Sequence, residues 1–386
     1  MNDPWLGYSA AQALRTGGRQ IVREALLALR GRTLRSADAY AAALGGADMR
    51  VPRWPTLNLP LWELGHVAWF QEWWIGRNRQ RLRGAACDPD HARAASLLPG
   101  ADAFYDSTRV AHATRWDLAL PDAAATRAYL DATFQQTLQV LDALGDAPGD
   151  DELYFFRWVA LHEAMHVEAA AYMARELGIA LPDEVAAGPA PNATVLHVPA
   201  RTFRIGWTGA GFAFDNELSA HDVQLDAFDI DASPVDRARF LEFERAGGYE
   251  KQRWWDDDGW AWLQTAGRPE REHSAGVATH LNAHEASAWC RWAGRRLPTE
   301  VEWECAALTQ PQFTWGQAWE WTATTFRPYP GFVPHPYRDY SAPWFETRRV
   351  LRGACPATSH WLAHPRYRNF FEPDRRDIFA GFRSCA

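Results

Sequence analysis

Two histidines four residues apart, in His162-Glu163-Ala164-Met165-His166-Val167-Glu168, sit inside a stretch that contains no helix breaker. The flanks, residues 155–161 and 169–173, are apolar, so the segment predicts a helix inside a helical bundle. A four-residue step on a helix returns to the same face, and both rings then point the same way. Two buried imidazoles each need a partner, and a single metal ion satisfies both. The competing reading is a pair of packed core histidines.

Three more segments carry apolar residues at three- and four-residue steps: 10–29, 61–82 and 123–144. With the histidine segment, 151–177, they predict a four-helix bundle joined by a long irregular connection at 84–120. Pro60, Pro121-Asp122 and Gly178 supply starts and a stop. Residues 181–191, with three prolines, read as a linker. Beyond it the pattern shifts to short alternating segments (194–198, 202–205, 223–230), with helices expected at 234–246 and 283–293. A chain of 386 residues is long enough for two domains, a bundle followed by a loop-rich α+β unit.

Composition narrows the partners. A net charge of −8 argues against nucleic acid, and no apolar run approaches a membrane span. The N-terminus lacks a basic segment followed by an apolar one, so no signal peptide is expected. Five scattered cysteines fit a reducing cytosol, and a cytoplasmic location is expected. The 21 tryptophans point to aromatic-lined packing or pockets.

The second half is recognisable by its motifs. The stretch from Asn282-Ala283-His284-Glu285 through Trp289-Cys290-Arg291-Trp292 to Arg296-Leu297-Pro298-Thr299-Glu300-Val301-Glu302-Trp303-Glu304 resembles the signature of the formylglycine-generating-enzyme-like (sulfatase-modifying-factor) domain. Trp319-Glu320-Trp321-Thr322, Val350-Leu351-Arg352-Gly353-Ala354 and Gly381-Phe382-Arg383 extend the likeness. It implies a C-type-lectin-like fold. Joined to an upstream bundle with His-x-x-x-His-x-Glu, the chain is similar to the ergothioneine-type sulfoxide synthases and selenoneine synthases. Those enzymes pair a DinB-like bundle with the lectin-like domain, and their layout implies a bundle at 1–180, a linker at 181–194 and the lectin-like domain at 195–386.

The resemblance implies Fe(II) held by three histidines, and O2 used to join a chalcogen to C2 of the imidazole of hercynine. His66 matches the family's first histidine and would complete a set with His162 and His166. Three imidazoles leave up to three iron positions open. Glu168 is then expected to orient an imidazole from behind, or else to be a salt-bridging carboxylate at the helix surface. In Tyr367-Arg368-Asn369-Phe370-Phe371, Asn369 matches the residue that contacts hercynine; otherwise it caps a turn. Phe371 stands where users of γ-glutamylcysteine carry an aspartate, and Met165 where a glutamine is common. Tyr337 and Tyr340 have the spacing of the family's active-site tyrosines. Arg109 and Arg115 are candidates for binding the donor, or are solvated loop charges. Phe371 and the tryptophan-rich segment around His66 resemble the selenoneine branch, so a selenosugar donor is expected ahead of a thiol.

Rival readings remain at this stage. His162-Glu163-x-x-His166 also fits a zinc protease, with Glu163 as general base and Glu184 as a further ligand. Glu63-x-x-His66 and Glu163-x-x-His166 have the spacing of a carboxylate-bridged di-iron site, for which Glu24 is the candidate further carboxylate. A lectin-like binding module would leave the histidines idle.

Overall fold

The computed structural model describes residues 6–45, 47–182, 193–267 and 276–386. The single helix expected at 10–29 is two: α1 (Leu6–Thr16) and α2 (Arg19–Leu44). Gly17-Gly18 makes the break, where a Cβ on Gly17 would lie 2.5 Å from the carbonyl oxygen of Ala13. α3 (Pro60–Gln71) starts on its proline. Where a helix was expected to run to residue 82, the chain widens into a π turn at Glu72–Gly76 and stops. The cause is local. Buried Glu72 accepts from Tyr129 Oη (2.7 Å), Ser96 Oγ (2.6 Å) and Leu97 N (2.5 Å), so the turn is drawn toward the long connection. That connection, expected to be irregular, contains the short α4 (Ala101–Tyr105). α5 (Ala123–Asp142) is capped by Asp122, and α6 (Asp150–Glu176) opens on three acidic residues that suit the positive end of its dipole. The linker segment and Glu184 lie largely outside the described residues.

In the second half, β1 (Val195–Val198) pairs with β4 (Phe228–Asp231), and β2 (Arg201–Ile205) with β3 (His221–Leu225), all antiparallel. The strand expected at 223–230 is thus split between two ladders. Helices α7 (Arg237–Arg245), α8 (Asp257–Ala266), α9 (Ala283–Trp292) and α10 (Glu300–Thr309) follow. A mixed four-stranded sheet, ordered β7-β6-β5-β8, closes the chain. Its strands are β5 (Ala318–Thr325), β6 (Arg349–Ala354), β7 (Asn369–Phe371) and β8 (Ala380–Gly381).

The motif residues turn out to be scaffold. Asn282 and Thr299 cap α9 and α10 reciprocally with Glu285 and Glu302. Glu304 pairs with Arg352 (2.5 Å), Glu300 with Arg368 (2.9 Å) and Glu320 with Arg383, all buried. All five cysteines are buried and free. Among the described residues no helix is long and apolar enough to cross a membrane.

The two halves share one continuous apolar core, and α6 lies against both. Trp158 meets Phe214 edge-on at 5.2 Å, and Tyr154 Oη lies 2.8 Å from His335 Nδ1. Arg15 of α1 makes a bidentate pair with Glu217 (2.7 and 2.8 Å), both side chains fully buried.

Candidate metal centre

α3 and α6 cross so that His66, His162 and His166 converge. His162 Nε2 lies 3.2 Å from His66 Nε2 and 3.2 Å from His166 Nε2, and one ligand atom from each ring can be chosen with all three within 4.8 Å. Nitrogens bound side by side to one ion at about 2.1 Å are ~3 Å apart, so this is the spacing of a shared metal. His66 and His162 are buried, His166 half-buried.

Hydrogen bonding fixes which nitrogens face inward. His66 Nδ1 is 2.7 Å from the carbonyl oxygen of Tyr105, which can only accept, so Nδ1 carries the proton and Nε2 a lone pair. His166 Nδ1 is 2.5 Å from Glu63 Oε2, with the same consequence. Two lone pairs therefore face the Nε2 of His162, which can donate to only one of them. A cation resolves all three. Burial and the neighbouring His166 push His66 down to about 3, and burial, His166 and His66 hold His162 well below the usual imidazole range. Both stay neutral, the form that binds metal. Burial opposes ionisation of Glu63, but the charge and hydrogen bond of His166, with His66 and Arg115, outweigh it and hold the carboxyl at about 2.

An aromatic wall surrounds the centre. Phe70 stacks face to face on His162 (3.6 Å between ring centres), and Trp62 on His66 (4.8 Å). Tyr337 stands edge-on to Phe70 at 5.1 Å, and burial pushes its hydroxyl up to about 12. Tyr340 is more deeply buried, with its hydroxyl 3.3 Å from Tyr367 Oη. Of the expected tyrosines, Tyr337 packs nearer the histidines. Arg115 lies flat over Trp62, 3.5 Å from the ring centre, and its buried Nε has no hydrogen-bond partner. Met165 shares the α6 stretch between the two histidines and is half-buried. Phe370 stacks on Phe326 (4.1 Å) and approaches Tyr340 (5.9 Å), whereas Phe371 lies beneath Arg375. The side chain of Asn369 accepts from the N–H of Phe370 (2.9 Å), the next residue of β7, so it caps no turn.

Two expectations are corrected. Glu168 does not orient an imidazole: it accepts from Trp319 Nε1 (2.6 Å) and Thr358 Oγ1 (2.5 Å) in the second half. Two residues past His166 is about 200° around the helix, which turns it away from the histidine face. Arg109 is turned outward, 74% exposed and paired with Asp106. The residues that hold the imidazoles, Glu63 and the Tyr105 carbonyl, were not assigned that role from sequence. The three-residue step from Glu63 to His66 was the available signal, but it was read as a ligand spacing.

Glu163 decides between the rivals. It is buried against Arg30 (2.8 Å) and Thr33 (2.8 Å), so it serves neither as the base of a zinc protease nor as a bridging carboxylate. Glu24 is exposed and bonded to Gln20.

The chain matches the DinB superfamily over residues 23–170 and the sulfatase-modifying factor enzyme 1-like domain over 181–317. It is 31% identical to the hercynine oxygenase of Mycolicibacterium smegmatis, over 95% of this chain and 98% of that one. It is 32% identical to the hercynine oxygenase of Mycolicibacterium thermoresistibile, over 93% of each. The formylglycine-generating enzyme of Streptomyces coelicolor matches 36% of the chain at 33% identity.

Proposed function

Because the chain belongs to the hercynine oxygenase family, an oxygen-dependent oxidoreductase, we propose that it forms a carbon–chalcogen bond at C2 of the imidazole of hercynine, at a ferrous centre held by His66, His162 and His166. The observation that carries this reading is the convergence of three Nε2 atoms, two of them with their protons fixed on the opposite nitrogen. The donor set fits Fe(II): neutral imidazoles suit it, and three of them leave positions free. Bound there, Fe(II) supplies activation of O2 and sites for the substrate ring and the chalcogen.

The chain's own residues do the rest. Glu63 and the Tyr105 carbonyl make the imidazoles better donors and keep them aimed. Tyr337 keeps its proton throughout the physiological range and serves as the hydroxyl donor beside the centre. Phe70, Trp62 and Trp158 exclude water around it. Asn369 and Phe370 line the substrate side with Met165. The division at 1–180, 181–194 and 195–386 belongs to the same proposal, as does a cytoplasmic location.

For the donor, we favour a selenosugar. Phe371 offers no carboxylate to an amino-acid ammonium, and the wall around His66 is rich in tryptophan, which suits the C–H face of a sugar. One observation supports the alternative, a cysteine or γ-glutamylcysteine donor: the unpartnered Nε of Arg115 suits a carboxylate. Iron-loaded protein given hercynine under air, with each donor in turn, separates the readings. Product with the selenosugar is expected. Turnover with thiols alone overturns the donor, and no oxygen uptake with any of them overturns the reaction.

A further inference from the structure

The loop at residues 335–341 carries Tyr337 and Tyr340 between two ends that meet on one carboxylate. At its start, the backbone N–H of His335 donates to Asp215 Oδ2 (3.3 Å). At its finish, the hydroxyl of Ser341 donates to Asp215 Oδ1 (2.5 Å). Asn216 Nδ2 donates to the same hydroxyl (3.0 Å). Asp215 is 2% exposed and Ser341 fully buried. Among the described residues no cationic side chain pairs with Asp215; the two loop donors, together with the backbone N–H of Asn216, support its charge against burial, which still holds the carboxyl above its usual range. We propose that Asp215 is a positioning residue for the reaction, a clamp that closes the loop on itself and so fixes where Tyr337 stands against the histidine face.

The clamp is anchored on three sides. Next along the same short turn, Glu217 is locked to Arg15 of α1. The carbonyl of Asn216 accepts from Arg368 (2.7 Å), whose guanidinium also grips Glu300 and which directly precedes Asn369. On the near side, Phe214 stacks on Tyr340 (4.8 Å). One turn therefore references the tyrosine loop to α1 and to the strand that bears Asn369. His335 adds the metal helix, through Tyr154 (2.8 Å). A carboxylate is what this geometry needs, because both oxygens accept; an asparagine would present N–H to one of two donors.

The inference rests on Tyr337 acting beside the centre, and its test has a readout that does not. In Asp215→Asn, amide exchange of the peptide covering 335–341 should quicken roughly tenfold, with α6 unchanged. In the holoenzyme the same change should lower kcat roughly 10- to 100-fold, with KM for hercynine moving less than about threefold, as a displaced donor would. In a Tyr337→Phe background it should cost nothing further, since the clamp acts through that hydroxyl. Ser341→Ala should repeat the pattern more weakly, and it serves if Asp215→Asn fails to fold. Unchanged exchange in the loop overturns the proposal, as does an equal loss of kcat in both backgrounds. If Tyr337→Phe itself retains full turnover, the role of the tyrosine falls, while the exchange result still decides the clamp.

Discussion

Each imidazole that binds from the edge of the centre has its outward nitrogen occupied, His66 by a backbone carbonyl and His166 by a carboxylate. The carboxylate is the adjustable one. Glu63→Gln keeps the shape but replaces a charged acceptor with a neutral amide, so iron affinity should fall roughly 10- to 100-fold, read by competition with a chelator. Glu168→Gln should leave that affinity unchanged, because its carboxylate faces Trp319 and Thr358. Acid should also weaken the metal-free fold. His66 titrates near 6.5 when unfolded but only at about 3 when folded, so between those values the unfolded chain binds the extra proton. Stability is then fully present above about 6.5 and is lost as pH falls toward 3, with a slope on the order of 1 kcal/mol per pH unit. Urea melts of metal-free protein at pH 7 and pH 5 should show this, and His66→Phe should lessen it without abolishing it, because His162 is held down by burial in the same way. At this scale the sequence was legible where one helix repeats itself: the four-residue step placed His162 and His166 together. It was illegible where two helices meet, because the contact of Glu63 with His166 depends on how α3 crosses α6.

Helices place these residues only if they can approach closely enough. Gly65 allows it on α3, where a Cβ would fall 2.2 Å from the ring of Tyr105, whose carbonyl holds His66. Gly65→Ala should push that ring away, lowering both stability and iron retention, as measured by thermal unfolding and metal content after dialysis. α1 is tied to the other half by Arg15. Removing it leaves Glu217 as an uncompensated buried charge, and Arg15→Ala should cost about 3–5 kcal/mol in chemical denaturation. Arg15→Met with Glu217→Leu should recover most of that. Element existence followed from apolar periodicity, and α5 and α6 fall within a few residues of expectation. The ends of α3 and of the first helix did not, because they are set by the polar cluster on Glu72 and by the packing of Gly17, neither of which is periodic. The second half was named by its motifs, yet the purpose of those motifs emerges only in the fold: they are capping boxes and buried ion pairs.

Taken as one body, the molecule has its reactive groups on opposite sides of a seam that buried contacts cross. The histidines belong to α3 and α6, and the tyrosine loop and Asn369 to the lectin-like half. Across the seam run Arg15–Glu217, Tyr154–His335, Glu168 to Trp319 and Thr358, and the packing of Trp158 on Phe214 and Tyr340. Cutting there would strand several buried polar groups at once, each costing about 1–3 kcal/mol when left unpaired. The halves should therefore unfold together. Far-UV circular dichroism, weighted toward the helical half, and tryptophan fluorescence, reporting both, should give coincident urea transitions with a single midpoint. Asp215→Asn should not split them, since it loosens only the loop's share of the seam and leaves Arg15–Glu217, the Glu168 contacts and Trp158 on Phe214 in place. Two separated midpoints would mean that the halves meet through a soft interface, and the placement of Tyr337 against Phe70 and Trp158 would then need some other source of rigidity.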